Sequence, residues 1–135
     1  MTELLHGDVT FEILGAAMEV HRVLGPGFLE TVYQRGMEVE LRCRNVPFES
    51  QRRIRLTYKG EDLGDHVLDL LVNGRVIVEL KAVRELADLH QAQLLSYLKA
   101  ARLPIGLLIN FAKPSLEHRR IMLKDSLRAP ISESV

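Results

Sequence analysis

Apart from Arg75 next to the Asn-Gly turn, three charged side chains interrupt an almost continuously apolar stretch, LDLLVNGRVIVELKA at residues 68–82: Asp69, Glu79 and Lys81. Two neighbouring carboxylates can hold a hard divalent cation such as Mg²⁺ through oxygen ligands, and without a cation one of them would be protonated. A lysine beside them can orient a water molecule or offset charge on a phosphoryl group. The trio therefore indicates a metal-dependent hydrolytic site, although a Lys81–carboxylate ion pair at a sheet edge is the simpler structural alternative.

The turn between the two halves of this stretch decides whether the trio can meet. Glu79 and Lys81 are two residues apart on a strand and share a face, because side chains alternate. Asn-Gly at 73–74 is typical of a two-residue type I′ turn, which would send Asp69 to the opposite face. A three-residue loop over 72–74, with a bulge at the glycine, would bring all three together. The site hypothesis thus requires a bulge or an odd number of loop residues.

Two helices precede the strands that must carry this site. The first is predicted from Asp8 or Thr10 to about Leu24, where the GPG sequence at 25–27 ends it. The second is predicted over 28–44. Its apolar positions recur every three or four residues on one side of the helix; they are Leu29, Val32, Gly36, Val39 and Cys43.

The remaining chain alternates strands and one further helix. Residues 50–60 alternate in polarity, whereas 66–72, 75–83 and 105–111 are nearly all apolar, which is typical of strands covered on both faces. A helix over 85–102 connects two of them, so these two should lie parallel. Residues 119–124 are a weak final strand or a short helix. The order α-α-β-β-β-α-β predicts an α/β fold with one mixed sheet flanked by helices.

Composition restricts the class of protein. The chain has 135 residues, which suits a single domain, with a core over about 8–124 and a frayed tail over 125–135. Its 18 basic and 18 acidic residues give zero net charge, unlike a sequence-independent nucleic-acid coat protein. Cys43, the lone cysteine, cannot form an internal disulfide. Neither a secretory signal nor a membrane span is evident, so we expect a cytoplasmic protein with no membrane partner.

The helix over 85–102 adds polar candidates. His90, Gln93 and Tyr97 fall on one helical stripe, where Gln93 could orient a water or a phosphate and Tyr97 could contact a backbone. The alternative is a polar flank beside a core-facing stripe. The predicted core-facing residues are Leu89, Ala92, Leu95 and Leu98.

Other polar residues also fit simple surface positions. His66 is expected on the strand face opposite Asp69 and receives no role. Glu30 begins the second helix, where a carboxylate also favours the helix dipole. Five basic residues could contact phosphate groups, although a solvated face or tail explains each one; they are Arg53, Arg55, Lys113, Arg119 and Arg120.

Two sequence patterns resemble a known family. LD followed ten residues later by VELKA resembles the D…ExK core of the PD-(D/E)xK nuclease superfamily. GFLETVY, from Gly27 through Glu30 to Tyr33, matches the signature of the GxxExxY proteins, and HQAQLLSYLKA and GLLINF are similar to that family too. The resemblance spans about residues 10–123. Leu68 stands where the superfamily pattern nominally has proline.

The resemblance implies a restriction-endonuclease-like fold and a set of roles. Asp69 and Glu79 would bind Mg²⁺, with Mn²⁺ as an alternative, and Lys81 would be the catalytic lysine. Glu30 matches the acidic residue that the superfamily often supplies from its first core helix. Gln93 and Tyr97 match the Q-x-x-x-Y motif of RecB-like nucleases. Many nucleases of this fold dimerise, so a homodimer is compatible with the resemblance.

Three functions follow from these observations. The leading one is Mg²⁺-dependent phosphodiester hydrolysis, on DNA in preference to RNA. The second is a non-catalytic nucleic-acid-binding or protein-interaction module that kept the fold, which zero net charge favours and the intact trio disfavours. The third is a hydrolase of nucleotides, for which a pocket would replace the basic groove that a polymer needs.

Overall fold

A computed structural model gives the structure of residues 4–124. Its elements are α1 (Gly7–Leu24), α2 (Glu30–Cys43), β1 (Phe48–Tyr58), β2 (Glu61–Val72), β3 (Val76–Lys81), α3 (Asp88–Ala101), β4 (Ile105–Asn110) and β5 (Glu117–Met122). The predicted order and α/β class are confirmed, and the final segment is a strand. The predicted frayed tail over 125–135 lies outside the described residues.

The five strands form one mixed sheet in the order β1-β2-β3-β4-β5. Neighbouring strands run antiparallel except β3 and β4, which are parallel, as the helical crossover between them requires. β3 is therefore a central strand with a partner on each side over its first half. The residues at its carboxyl end, Glu79 and Lys81, lie in the middle of the sheet.

Each face of the sheet carries its own apolar core. α1 and α2 cover one face, which includes Val78 and Leu80 of β3, and α3 covers the other, which includes Ile77. Because side chains alternate along a strand, Glu79 and Lys81 belong with Ile77 on the α3 face. The two charged residues thus share a face, as predicted.

The apolar residues predicted along one side of α2 are not the ones that α2 buries. Leu29 is 77% exposed and Val39 is also exposed, whereas Tyr33, Met37 and Leu41 are fully buried. Both sets recur at helical spacing, so α2 has two apolar faces and periodicity alone does not choose between them. The predicted residues lie partly against α1, where Gly36 faces Val20 and Leu24, and partly at the surface.

The predicted core-facing stripe of α3 is also displaced. Of the predicted residues, Leu98 is fully buried against the sheet, but Leu89 is 65% exposed; Leu94, which was not predicted, is also fully buried. Gly106 of β4 explains the orientation, because a β-carbon there would come within 2.8 Å of Leu94. The glycine lets α3 approach closely with Leu94 inward. This orientation also turns Tyr97 toward the sheet.

Candidate active site

The hairpin between β2 and β3 combines features of a two-residue turn and of a bulged loop. Asn73 and Gly74 both have positive φ angles, 55° and 66°, as in a type I′ turn, and Arg75 N donates to Val72 O at 3.0 Å. Yet Val72 pairs with Val76, so Arg75 is an extra residue and the loop contains three residues. The odd count is confirmed; the loop covers 73–75 instead of 72–74.

This register places Asp69 beside Glu79 at a fork in the sheet. The paired positions of β2 and β3 end at Leu70 and Val78, and Asp69 and Glu79 come next along the two strands. Beyond this point β2 continues beside β1, and β3 continues beside β4. The Asp69 carboxylate lies in the opening, where its Oδ2 accepts a hydrogen bond from Leu80 N at 2.7 Å. A side chain thus replaces the strand partner that Leu80 lacks.

The Glu79 carboxyl is the most strongly perturbed group of the site. It is 6% exposed, and its Oε1 atom has no hydrogen-bond partner among residues 4–124. Burial, followed by the negative charge of Asp69, raises the pKa of Glu79 to about 9, against a partial lowering by Lys81. Without a cation Glu79 is therefore neutral at pH 7, as expected for two adjacent buried carboxylates.

Lys81 ends β3 beside the buried strand β4. No ion pair within 4.0 Å joins it to a described residue, so the ion-pair alternative lacks its expected contact. Its ladder partner, Asn110, is fully buried and bonds both backbone groups of Val83, with N–O distances of 3.0 and 2.8 Å. Asn110 therefore fixes the chain that follows Lys81. In the sequence, Asn110 could be recognised only as an amide residue near the end of an apolar strand.

His66 lies in the site although the sequence pattern predicts no role for it. Its ring stacks on Tyr97 with centroids 3.7 Å apart, and its Nε2 lies 3.6 Å from Glu79 Oε1. Burial lowers the pKa of His66, and Nε2 has no hydrogen-bond partner among the described residues. Burial and the charges of Glu79 and Asp69 raise the pKa of Tyr97. Strand alternation misplaced His66 because β2 is irregular at Asp69.

The GxxExxY segment shapes the loop before α2. Gly27 has a φ of 115°, which favours glycine. The Tyr33 hydroxyl donates to Gly25 O at 2.6 Å and accepts from Phe28 N at 3.1 Å, while its ring stacks on Phe111. The loop thereby delivers Glu30 to the first turn of α2, where it lines a pocket of about 180 Å³ together with Asp69. Glu30 and Asp69 are thus brought together on the α2 side.

A family model described as the PD-(D/E)XK nuclease superfamily matches residues 7–121. The chain belongs to this superfamily. A search of curated proteins finds no match. Among solved structures, the protein titled "Crystal structure of SSO0001" is similar, with a TM-score of 0.57 and 18% identity over 69% of this chain. The chain spans about half of that protein's length, 49%, and the likeness is one of fold.

Nucleases of the PD-(D/E)XK superfamily typically use divalent metals, and Asp69 and Glu79 fit such an ion. Their oxygens are hard ligands, and the unpartnered Oε1 of buried Glu79 faces the site. No group of three or more His, Cys, Asp or Glu side chains able to hold a metal occurs within residues 4–124, so Glu30 completes no such group. Two carboxylates are enough for Mg²⁺, which usually keeps several waters.

The remaining helix candidates lie close to the PD-(D/E)XK trio or at the helix end. Gln93 is half-buried one turn before Tyr97, and no hydrogen bond joins its side chain to another described residue. His90 caps α3, since its Nδ1 accepts a hydrogen bond from Ala87 N at 2.9 Å. The structure therefore brings Tyr97 into contact with the site and leaves Gln93 beside it.

Four of the five predicted phosphate-binding residues already have protein partners. Arg53 pairs with Asp65, and Lys113 pairs with Glu117, at 3.6 and 3.8 Å. Arg119 donates to Leu86 O at 3.0 Å, in the segment between β3 and α3.

The last two basic candidates differ from each other. Arg120 donates to Leu5 O at 2.6 Å and so ties β5 to the chain before α1. Arg55 is exposed on β1 and has no ion pair with a described residue. Contact of these five residues with nucleic acid stays a prediction. None of the helices within residues 4–124 is long and apolar enough to cross a bilayer.

Proposed function

We propose that this protein is a metal-dependent phosphodiesterase that cleaves nucleic acid, with DNA favoured over RNA. The observation that supports this most is the fork, where the Asp69 carboxylate lies beside the buried Glu79 carboxyl, whose Oε1 has no hydrogen-bond partner among the described residues, with Lys81 on the same face. A buried acid with a pKa of about 9, one of whose oxygens has no hydrogen-bond partner among residues 4–124, is costly in a purely structural role. A divalent cation would stabilise its ionised form and so remove that cost.

Asp69, Glu79 and Lys81 would have different roles in hydrolysis. When bound between Asp69 and Glu79, Mg²⁺ or Mn²⁺ would supply a Lewis acid that polarises the phosphate and acidifies water. Lys81 would orient the attacking water and stabilise the charge that develops on the phosphoryl oxygens. Tyr97, held by its stack on His66, would contact the substrate backbone, and Gln93 and Glu30 would assist from either side of the sheet.

Cleavage assays with plasmid DNA, linear DNA and RNA, with and without Mg²⁺ or Mn²⁺, test the proposal. We expect metal-dependent cleavage that Lys81→Ala lowers by about 10²- to 10³-fold, the typical effect of removing one stabilising donor. Lys99→Ala is the matched control, because Lys99 is exposed in the last turn of α3. Lack of cation binding at millimolar concentrations, or full activity of Lys81→Ala, would exclude the enzymatic function.

The second candidate, a non-catalytic module on the same fold, is favoured by the charge of the surface. The chain has no net charge, and Arg53 and Lys113 are engaged in ion pairs. Such a module would bind DNA or a protein partner equally well with Lys81→Ala and without a divalent cation. The same variants therefore separate the two candidates.

The proposal includes a cytoplasmic location and a homodimer. Exposed apolar side chains on α1 and α2, among them Val23, Leu29 and Val39, offer a surface for a second copy. The ion pairs Glu19–Arg22 and Glu40–Arg44 at its border are already satisfied within one copy, so no strongly charged partner is required. Sedimentation equilibrium should show a dimer that Val39→Asp dissociates; a monomeric parent protein would contradict this part.

A further inference from the structure

β2 loses its regular alternation at Asp69. Leu68 packs with the α3-side cluster and Leu70 with the α1/α2-side cluster, so the irregularity falls between them. The facing residue on β1, Gln51, has a φ of 55°, a left-handed conformation that is uncommon for residues other than glycine. Backbone in such conformations persists only where surrounding contacts hold it. Something must therefore hold the backbone of Asp69 in place.

A side chain from α2 makes that contact. Gln34 Nε2 donates to the backbone oxygen of Asp69 at 2.9 Å, although the two residues are 35 positions apart. The same nitrogen lies 3.0 Å from Glu38 Oε2 and 3.1 Å from Ser50 Oγ. The Ser50 hydroxyl in turn donates to Glu38 Oε2. Gln34 is thus at the centre of a polar network that joins α2, β1 and β2.

The chemistry of its neighbours fixes which way the Gln34 amide points. A backbone carbonyl and an ionised carboxylate are acceptors only, so the NH₂ group and not the amide oxygen must face Asp69 and Glu38. Burial alone would raise the pKa of Glu38, but hydrogen bonds from Ser50 and Gln34 hold it below its ordinary value. Glu38 therefore remains an ionised acceptor and keeps the amide in this orientation.

We propose that Gln34 is a positioning residue for Asp69. Its amide holds the backbone of Asp69 at the break in β2, so the Asp69 carboxylate reaches Leu80 N and lies beside Glu79. The consequence for metal binding rests on the proposed function, but the effect on the Asp69–Leu80 hydrogen bond does not. The two can be measured separately.

Three variants distinguish positioning of Asp69 from general support of the fold. Gln34→Glu keeps the shape and replaces the donor with an acceptor, which would face the carbonyl of Asp69. Gln34→Met keeps a similar volume without polarity and serves if the glutamate variant does not fold. The double variant Gln34→Glu/Glu38→Gln restores an amide–carboxylate pair on α2 but leaves no donor from residue 34 toward Asp69.

Hydrogen exchange of the Leu80 amide, measured by NMR on the metal-free protein, is the direct readout, with the amide of Leu107 in β4 as the reference. We expect Leu80 exchange to accelerate about tenfold relative to Leu107 in Gln34→Glu and Gln34→Met, as for the loss of one buried hydrogen bond. The double variant should recover thermal stability without recovering Leu80 protection. Unchanged protection of Leu80 in both single variants, or its recovery in the double variant, would overturn the inference.

Titration of the same proteins with Mn²⁺, followed by electron paramagnetic resonance, separates the two proposals. We expect the parent protein to bind Mn²⁺ and the single variants to bind it at least about tenfold more weakly, as when a group that orients a ligand is lost. A parent protein that binds no Mn²⁺ but shows the expected Leu80 exchange would refute the proposed function and leave the positioning role intact. Full Mn²⁺ affinity in Gln34→Glu would refute the positioning role alone.

Discussion

Asp69 has two environments, one on each side of the sheet, and they differ in how their polar atoms are satisfied. On the α2 side, Gln34, Glu38 and Ser50 bond to one another, and Gln34 also donates to the Asp69 backbone oxygen. On the α3 side, His66 Nε2 and Glu79 Oε1 are buried 3.6 Å apart with no hydrogen-bond partner. We call the α2 side, where the polar groups bond to one another, the complete side. The α3 side, where two polar atoms lack partners among the described residues, is the incomplete side, and Asp69 belongs to both.

The difference separates the residues that hold the backbone of Asp69 from the residues that are available to bind a ligand. A buried polar group without a partner costs about 1–3 kcal/mol, so an otherwise tightly bonded structure retains one where a ligand completes it. The α2 side needs nothing further and holds the geometry. On the α3 side, His66 Nε2 and Glu79 Oε1 are available to a ligand, which under the proposed function would be a cation or a substrate phosphate. Variants on the two sides should therefore behave differently.

The largest effect is expected from Glu79→Gln on the incomplete side. In the folded metal-free protein the pKa of Glu79 is about 9, against the ordinary value of 4.5 for a glutamate side chain in water. The folded state therefore binds a proton that the unfolded state releases, and stability falls as pH rises from about 5 to 9, by up to about 1.4 kcal/mol per pH unit. A glutamine at this position cannot ionise, so the variant should lose this slope and exceed the parent in stability at pH 8.

Urea denaturation of both proteins at pH 5, 7 and 9, in the presence of a chelator, measures this slope. Adding Mn²⁺ at pH 8 should stabilise the parent and leave Glu79→Gln unchanged, because the variant lacks a carboxylate ligand. Glu117→Gln is a suitable control, since hydrogen bonding from Asn110 lowers the pKa of Glu117 and so gives the opposite pH dependence. Parallel slopes for the parent and Glu79→Gln would show that the two sides do not differ as described.

An intermediate effect is expected from Tyr33→Phe on the complete side. The variant keeps the stack on Phe111 but removes the hydroxyl that bonds Gly25 O and Phe28 N. Two backbone groups then lose a partner, and the free energy of unfolding should fall by about 1–3 kcal/mol. The loss should be the same with and without Mn²⁺, which thermal unfolding can check. A loss that appears only with bound metal would place Tyr33 on the functional side.

The smallest effect is expected from deletion of Arg75. This deletion tests whether the extra loop residue helps to orient Asp69 between the two faces of the sheet. Without this residue, Asn73 and Gly74 would form a plain two-residue turn that still pairs Val72 with Val76. The exposed Arg75–Asp8 contact, at 3.9 Å, contributes little. Stability should change by less than about 1 kcal/mol, and Mn²⁺ affinity should stay within about twofold of the parent. A large loss of affinity would show that the bulge itself orients Asp69.

The fold was largely predictable because its signals are local. The GPG break, the alternation in β1 and the strand-helix-strand order each depend on short stretches of sequence. The faces of α2 and α3 were not predictable in the same way. α2 offers two apolar stripes, and α3 is oriented by Gly106, a residue on a strand that it meets only after folding.

The candidate site was predictable in part for the same reason. The trio was visible as charges in apolar strands, and the odd loop count followed from requiring one shared face. His66, Gln34 and Asn110 were missed, because their contacts to Glu79, Asp69 and Val83 depend on the irregular backbone at the fork and on packing between distant segments. Regular strand geometry even places His66 on the wrong face.

The hydrogen bond from Leu80 N to Asp69 Oδ2 has a consequence for comparing this chain with its descendants or relatives. Asp69 closes a gap in the backbone pairing of the sheet, so its loss would harm folding even in a chain with no catalytic duty. Among the described residues, the side chains of Glu79 and Lys81 make no hydrogen bond that closes the sheet in this way, so a relative without the proposed nuclease activity could exchange them at a smaller cost to folding. A relative that keeps only the aspartate would therefore indicate a shared fold. A relative that also keeps the glutamate and the lysine would indicate that the site itself is still needed.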